Sequence, residues 1–376
     1  MDLSILAVAS ISFFVAYVNG ANDVSKGIAT LAGSGVSNYR RAILWGTLWT
    51  TFGSVAAFEF SRSLVATFGK GLLTPGVVPT FSAAIATVAG AGLWVGLATR
   101  FGLPVSTTHA IVGSIAGVTT MAYGFGGMNW SVLVGKVALP LLLSPIASLF
   151  ASVAVLQVWN QIGPTGADCI CTEIVSLRPA LASAAAEVEI APPTFPATEL
   201  VACHKTEIGA GSPIAFSLTL DHLHWFTSAG TSFARGLNDA PKMVAIALAA
   251  ASFSGFAIRG SWSMYLLIAL GILAGSLHAG RRVTTVLAEK ITRMDHREGF
   301  IANLVTSLLV GPGAFLGLPM STTHVASGAI IGIGVQKGNA IDWQRVKEMT
   351  LAWVVTLPAA ALLGIFTYGL LHVTAR

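Results

Sequence analysis

The chain has 376 residues, 54% of them hydrophobic and only 10% charged, with a mean hydropathy of +0.75. A soluble globular protein carries about 25% charged residues, so this composition excludes an ordinary water-soluble enzyme or binding module. The net charge of +5 is small, and its Lys and Arg gather between apolar runs, which suits anionic headgroups and argues against nucleic acid as a partner.

Five apolar stretches come first, at 3–32 (interrupted at 19–26), 41–60, 80–99, 104–123 and 130–159. About 20 apolar residues cross a bilayer, so each predicts a span. Met1-Asp2-Leu3 offers no basic n-region, and the first stretch is therefore read as a retained span and not a cleavable signal peptide. From 160 to 220 the character changes: Asp168, Glu173, Glu187, Glu189, Glu199 and Glu207 face only Arg178 and Lys205, and prolines recur. This is a linker or mini-domain, with alternating segments at 173–177 and 187–190 that suit a β-hairpin. Its three cysteines, Cys169, Cys171 and Cys203, are odd in number and lack a disulfide framework. With His204 they match no standard metal-ligand spacing, and inert thiols are the reading. Five further apolar stretches follow, at 222–251 (interrupted at 235–242), 261–279, 300–316, 319–335 and 345–373.

The two sets are copies. Gly20-Ala21-Asn22-Asp23-Val24-Ser25-Lys26 returns as Gly236-Leu237-Asn238-Asp239-Ala240-Pro241-Lys242, and Leu103-Pro104-Val105-Ser106-Thr107-Thr108-His109 as Leu318-Pro319-Met320-Ser321-Thr322-Thr323-His324. The spacings agree: 106 − 23 = 83 and 321 − 239 = 82. The predicted division is a first membrane repeat over 1–159, a linker over 160–220 and a second, inverted membrane repeat over 221–376.

Orientation follows from the basic residues, which favour the cytoplasmic side. With the N-terminus outside, Arg40 and Arg41 fall inside, and so do Arg281, Arg282, Lys290, Arg293, Arg297, Lys337, Arg345 and Lys347. The sparser Arg62, Lys70 and Arg259 fall outside. An odd number of crossings per half then inserts the second half upside down. The parity survives if the pair of stretches around Ser106 is a re-entrant hairpin. The expected location is the cell (inner) membrane, multi-pass, with both termini outside and the linker in the cytoplasm.

Asp23 and Asp239 lie at membrane depth, where a bare carboxylate costs at least a few kcal/mol, so each must be paired, protonated or bound to a cation. Asn-Asp among small residues suits an unwound point in a helix, and Pro241 suits the first turn of a restarted one. Pro-x-Ser-Thr-Thr reads as a helix start whose hydroxyls and N–H groups offer neutral donors to a tetrahedral oxyanion. A lone Ser/Thr cluster is as well read as a helix-packing contact. Duplication of both motifs at matched spacing favours the functional reading, since packing alone needs no Asp. His109 and His324 suit either proton relay or hydrogen-bonded packing. Ser106 with His109 raises an intramembrane hydrolase, but no third orienting group accompanies them. Two buried motifs supply no selectivity ring for a channel. A secondary transporter, not an enzyme, fits best.

These motifs resemble those of the inorganic phosphate transporter (PiT) family, the solute carrier family 20 type, over both membrane halves. The resemblance implies an all-α polytopic fold, an inverted-topology repeat of about five spans each with broken or re-entrant helices. It implies a homodimer that carries inorganic phosphate by symport with H⁺ or Na⁺, with no cofactor and no resident metal. Carried over by position, the substrate residues are Asn22, Asp23, Ser106, Thr107, Thr108, Asn238, Asp239, Ser321, Thr322 and Thr323.

The departures matter. Where the family's first motif usually ends in Asn, this chain has Lys26, and Lys242 repeats it; where many members carry Glu, it has Thr50 and Asn303. Asp23 with Lys26 and Asp239 with Lys242 are i,i+3 pairs, which places these four on the coupling or cation side. Either each ammonium takes the place of a sodium ion, or each lysine snorkels to the interface. A carboxylate neutralised by lysine discriminates less against sulfate, which has no proton to donate, so sulfate or another tetrahedral oxyanion is the alternative substrate.

Overall fold

Inside lipid every backbone polar group must be satisfied within the chain, and long apolar runs answer with helices. The structure, a computed structural model, describes residues 3–162, 169–171, 217–251, 261–338 and 341–374. The helices are α1 (Leu3–Asp23), α2 (Ser25–Gly33), α3 (Tyr39–Phe60), α4 (Arg62–Ala66), α5 (Phe81–Arg100), α6 (Thr107–Tyr123), the single turn α7 (Trp130–Val132) and α8 (Leu139–Ile162). After the linker come α9 (Leu220–Ala251), α10 (Ser261–Ala279), α11 (Arg281–Glu289), α12 (His296–Phe315), α13 (Thr322–Gln336) and α14 (Trp343–Thr374). At the linker's two ends, β1 (Cys169–Cys171) pairs antiparallel with β2 (Ser217–Thr219). The segments expected to form a hairpin, and Cys203 with His204, lie outside the described residues.

The protein is a polytopic helical membrane protein. Among the described residues six stretches are long and apolar enough to cross a membrane: Leu3–Gly33, Phe81–Arg100, Trp130–Gln161, Trp262–Ala279, His296–Phe315 and Trp343–Val373. Four of the ten expected spans are missing from that set, for two reasons. Helices α3 and α9 carry charge, with Arg40, Arg41 and Glu59 on one and Asp221, Arg235, Asp239 and Lys242 on the other. Helices α6 and α13 have only 17 and 15 residues, too few at 1.5 Å each for a bilayer core of about 30 Å.

The short helices belong to hairpins. Helices α5 and α6 pack together, and the Thr80 N–H at the start of the first donates to the Tyr123 hydroxyl at the end of the second (2.6 Å). Helices α12 and α13 do the same, closed at their base by Lys337 Nζ donating to Glu298 (2.8 Å) and to the Arg293 carbonyl (3.0 Å). The hairpins meet tip to tip: the Ser321 hydroxyl donates to that of Ser106 (2.9 Å). On either side Thr323 donates to the Val105 carbonyl (2.8 Å) and Thr108 reaches the Met320 carbonyl (3.4 Å), a reciprocal pair.

The rest of the packing is reciprocal too. Helix α1 lies on α10 while α9 lies on α3; α6 lies on α14 while α13 lies on α8. Glycines set the first two crossings. A Cβ on Gly275 would sit 1.8 Å from the Tyr17 carbonyl oxygen, and one on Gly236 would sit 2.3 Å from that of Thr50. Backbones this close are how membrane helices gain contact where the hydrophobic effect supplies none. Leu142, Phe150, Val354, Leu362 and Phe366 point outward from α8 and α14, as lipid-facing residues do. We expect Gly275→Val to cost more than about 3 kcal/mol, because backbone must move, whereas Gly369→Ala, on an open face of α14, is neutral. Thermal unfolding in detergent, followed by size-exclusion recovery, checks both.

Candidate functional site

Ser106 and Ser321 are helix N-caps: each sits in extended backbone, and its hydroxyl accepts from the N–H three residues on, that of His109 or His324 (both 3.2 Å). Capping places Thr107-Thr108 and Thr322-Thr323 in the first turns of α6 and α13, all four buried. Pro104 and Pro319 therefore stand in the loop ahead of the cap, and the helix starts at the threonines.

The Asn-Asp motifs behave differently from expectation. No segment unwinds: a single turn residue, Val24, separates α1 from α2 and itself has helical angles (φ −55, ψ −31). Helix α9 runs unbroken through Asn238 and Asp239, with Pro241 inside it. Proline removes the donor that would meet the Leu237 carbonyl, and the Ser61 hydroxyl supplies one instead (2.9 Å). The motifs therefore present their side chains from helical backbone.

All ten expected site residues are buried. Asn22, Asp23, Thr107, Thr108, Asn238 and Asp239 join one hydrogen-bonded cluster with Lys26 and Lys242; Ser106 and Ser321 bond each other beside it, Thr323 bonds the Val105 carbonyl, and Thr322 is buried at the register of Thr107. Asp23 accepts from Lys26 Nζ (2.6 Å) on one oxygen and from Thr107 (3.1 Å) and Asn19 (3.0 Å) on the other. The same Asn19 amide reaches Asp239 (3.4 Å) and so bridges the two carboxylates. Asp239 also accepts from Asn238 (2.9 Å) and Lys242 (3.4 Å). Asn22 donates to Thr99 (3.0 Å) and the Leu103 carbonyl (2.9 Å), and Asn238 to the Met320 carbonyl (2.8 Å), so each asparagine ties its helix to its own half's hairpin tip.

Neither lysine snorkels. Both are buried, and each ammonium sits among three oxygens. Lys26 Nζ meets the Asn22 carbonyl (2.8 Å), Asn22 Oδ1 (2.7 Å) and Asp23 Oδ1 (2.6 Å). Lys242 Nζ meets Thr108 Oγ1 (2.7 Å), the Met320 carbonyl (3.2 Å) and Asp239 Oδ1 (3.4 Å). Carboxylate, amide, hydroxyl and carbonyl oxygens of this kind are also the ligands small cations take. Among the described residues no group of three His, Cys, Asp or Glu could hold a metal.

Two members of the cluster were not anticipated. Asn19 and Arg235 each stand one residue before the glycine that opens the duplicated motif, a place that reading the alignment one position earlier would have exposed. Arg235 is 1% exposed, with Nε 4.0 Å from Asp239 Oδ2. Across the centre the His109 and His324 rings meet at 4.5 Å between centroids, tilted by 43°.

A cavity of about 660 Å³ approaches the cluster from one side, lined by Tyr17, Thr99, Arg100, His278, Arg281 and Arg282 among others. Its Thr99 hydroxyl is the one that Asn22 bonds. A second, of about 600 Å³, is lined by Arg40, Arg41, Tyr39 and the shared Arg281.

A sequence profile described as the phosphate transporter family matches residues 19–364. A protein of Thermococcus kodakarensis named as a phosphate permease is 27% identical over 99% of each chain. A Mycobacterium tuberculosis protein named as a low-affinity inorganic phosphate transporter is 30% identical over 98% of this chain and 78% of its own. A solved structure titled as the sodium-dependent phosphate transporter superposes with a TM-score of 0.78 at 22% identity, covering 99% of this chain and 100% of its own, a likeness of fold.

Removing one partner of a buried ion pair strands the other, at about 3–5 kcal/mol. Lys26→Met is therefore expected to destabilise the protein by that amount, and Lys26→Met with Asp23→Leu to recover most of it. Thermal melting of the purified single and double variants reads the difference.

Proposed function

The chain belongs to the phosphate transporter family, and from that we propose that it is a secondary carrier which moves inorganic phosphate by alternating access around the cluster just described. One observation carries this reading: two carboxylates and their two ammonium partners share one buried hydrogen-bonded network with the hydroxyls of Thr107 and Thr108, drawn from both halves, with Arg235 and the bonded tips Ser106 and Ser321 buried beside it. Helix N-termini and hydroxyls grip an oxyanion from two sides, and the few bonds between the tips are what opening must break. The substrate residues are Asn22, Asp23, Ser106, Thr107 and Thr108 with Asn238, Asp239, Ser321, Thr322 and Thr323.

The repeats, 1–159 and 221–376, are inverted with respect to each other in this reading. Its support is the pair of hairpins whose bases point apart while their tips bond, together with the reciprocal packing. Arg40, Arg41, Arg100, Arg281 and Arg282 line the two adjoining cavities, which supports a single basic, cytoplasmic face with the N-terminus opposite. The larger cavity is then the cytoplasmic vestibule, and its guanidinium groups raise the local anion concentration.

Each ammonium occupies the oxygens of a cation site, so the carrier runs without sodium, coupled to protons or to the phosphate gradient alone. Sulfate is the second reading, favoured because all four carboxylate oxygens of Asp23 and Asp239 already have a donor or a guanidinium nearby and leave little to accept a proton from phosphate.

Asp23→Asn or Asp239→Asn should abolish concentrative uptake in proteoliposomes while the protein stays in the membrane; normal uptake by both variants overturns the site. Labelled phosphate uptake with unlabelled sulfate as competitor, with and without a sodium gradient, tests the rest. We expect saturable, trans-stimulated uptake that is indifferent to sodium; strict sodium dependence would sink the proposed role of the lysines.

A further inference from the structure

The duplicated motif is unequal at one place. Ahead of its glycine the first half has Asn19, an amide, and the second has Arg235, a guanidinium. Both side chains reach the centre of the cluster, and both leave polar atoms unused. Asn19 Oδ1 has no hydrogen-bond partner, and neither have Nε, Nη1 and Nη2 of Arg235. The Arg235 side chain is 1% exposed, so bulk solvent does not reach it. The nearest carboxylate oxygen, on Asp239, stands at 4.0 Å, too far for a hydrogen bond.

Five N–H donors buried without acceptors are costly, and arginine does not shed its charge. Helix α3, packed on α9, brings no relief. Its one acid, Glu59, is exposed and pairs with Arg62, and the buried hydroxyl of Thr50, whose backbone lies on Gly236, is itself without a partner. Lys26, Lys242 and Arg235 against Asp23 and Asp239 leave the cluster one positive charge in excess, three against two.

The two lysines cannot bind a ligand as they stand. Each ammonium has three donors, and each has three oxygens within 2.6–3.4 Å. Within the cluster Arg235 is the cation with donors to spare.

We propose that the Arg235 guanidinium is a direct ligand of the transported oxyanion, holding two of its oxygens in a fork. The inference rests on the carrier reading above and names the group that recognises the anion. A planar fork matches the spacing of two oxygens on a tetrahedral oxyanion, which an ammonium does not. The excess charge makes the empty site favour an anion without any added cation. Asn19, bridging the carboxylates, keeps Asp23 and Asp239 turned together.

The test uses purified full-length protein in detergent and in proteoliposomes, as wild type, Arg235→Lys and Arg235→Gln, with labelled inorganic phosphate and labelled sulfate as separate probes. Equilibrium binding, initial uptake rates and melting temperature are measured on each. Charged hydrogen bonds of this kind are worth between about tenfold and a hundredfold in affinity. We expect Arg235→Gln to lose at least that much for any anion the wild type binds. Arg235→Lys, which keeps the charge but not the fork, should fall between. In anion-free buffer Arg235→Gln should melt no lower than wild type, and the rise in melting temperature that the anion gives the wild type should vanish. Affinity within twofold of wild type in Arg235→Gln overturns the proposal. So does a lower melting temperature in anion-free buffer combined with unchanged affinity of the folded fraction, the mark of a structural arginine. A wild type that binds and carries sulfate but not phosphate defeats the phosphate reading and leaves Arg235 to be judged on the sulfate arm.

Discussion

A charge in a dry interior must be answered by another within hydrogen-bond reach, and the architecture of this protein follows from that requirement at Asp23 and Asp239. Each carboxylate takes its ammonium from one helical turn further on, Lys26 or Lys242, so the answer is local and written into the motif. Local pairing still leaves acceptors open, and these are filled by groups from elsewhere: Thr107 from a hairpin tip, Asn19 from one turn back. Lys242 goes further and bonds Thr108 of the opposite half, which ties the second-half charge pair to the first-half hairpin. The charges thus recruit the hairpins, and the hairpins need short helices that start in the interior.

Much of this is legible in the residues themselves. The repeat is visible because polar motifs stand out against apolar sequence, and the i,i+3 spacing of Asp and Lys predicts the pairs. Where the reading departs, the reason is physical. Pro241 after Asn-Asp reads as a helix restart, because nothing nearby in sequence reveals that Ser61, far upstream, meets the Leu237 carbonyl. The contact of Ser106 with Ser321 is likewise a matter of packing between residues 215 apart. Helices α6 and α13 read as spans because their apolar content continues into the loop ahead of the cap, and only the bond of Tyr123 to Thr80 turns the first into a hairpin arm. Arg235 was hidden by the limits drawn around the motif. Aligned on the glycine, the copies match; one place earlier they differ, and that difference is chemical.

The near-symmetry and its exception belong together. Val105 and Met320 carbonyls, Thr323 and Thr108 hydroxyls, and the facing His109 and His324 rings repeat across the centre. Against that background a neutral amide at 19 and a guanidinium at 235 stand out as a position where the two copies differ in chemistry. Duplication supplies the scaffold, and divergence at single positions supplies polarity within it.

The exchange of partners between the outer helices has a consequence for how the chain is assembled. Helix α6 belongs to the first half, yet the helix it lies against is α14, the last in the sequence; α13 lies on α8 of the first half. Each half thus lends its terminal helix to the other, as interlocked fingers do, and neither can reach its final packing alone. The ribosome delivers α6 more than two hundred residues before α14 exists. Until then the face of the first hairpin destined for α14 must be covered by lipid or by the translocation machinery. Contacts so distant in sequence close late, and the first hairpin is completed only once α14 has been made.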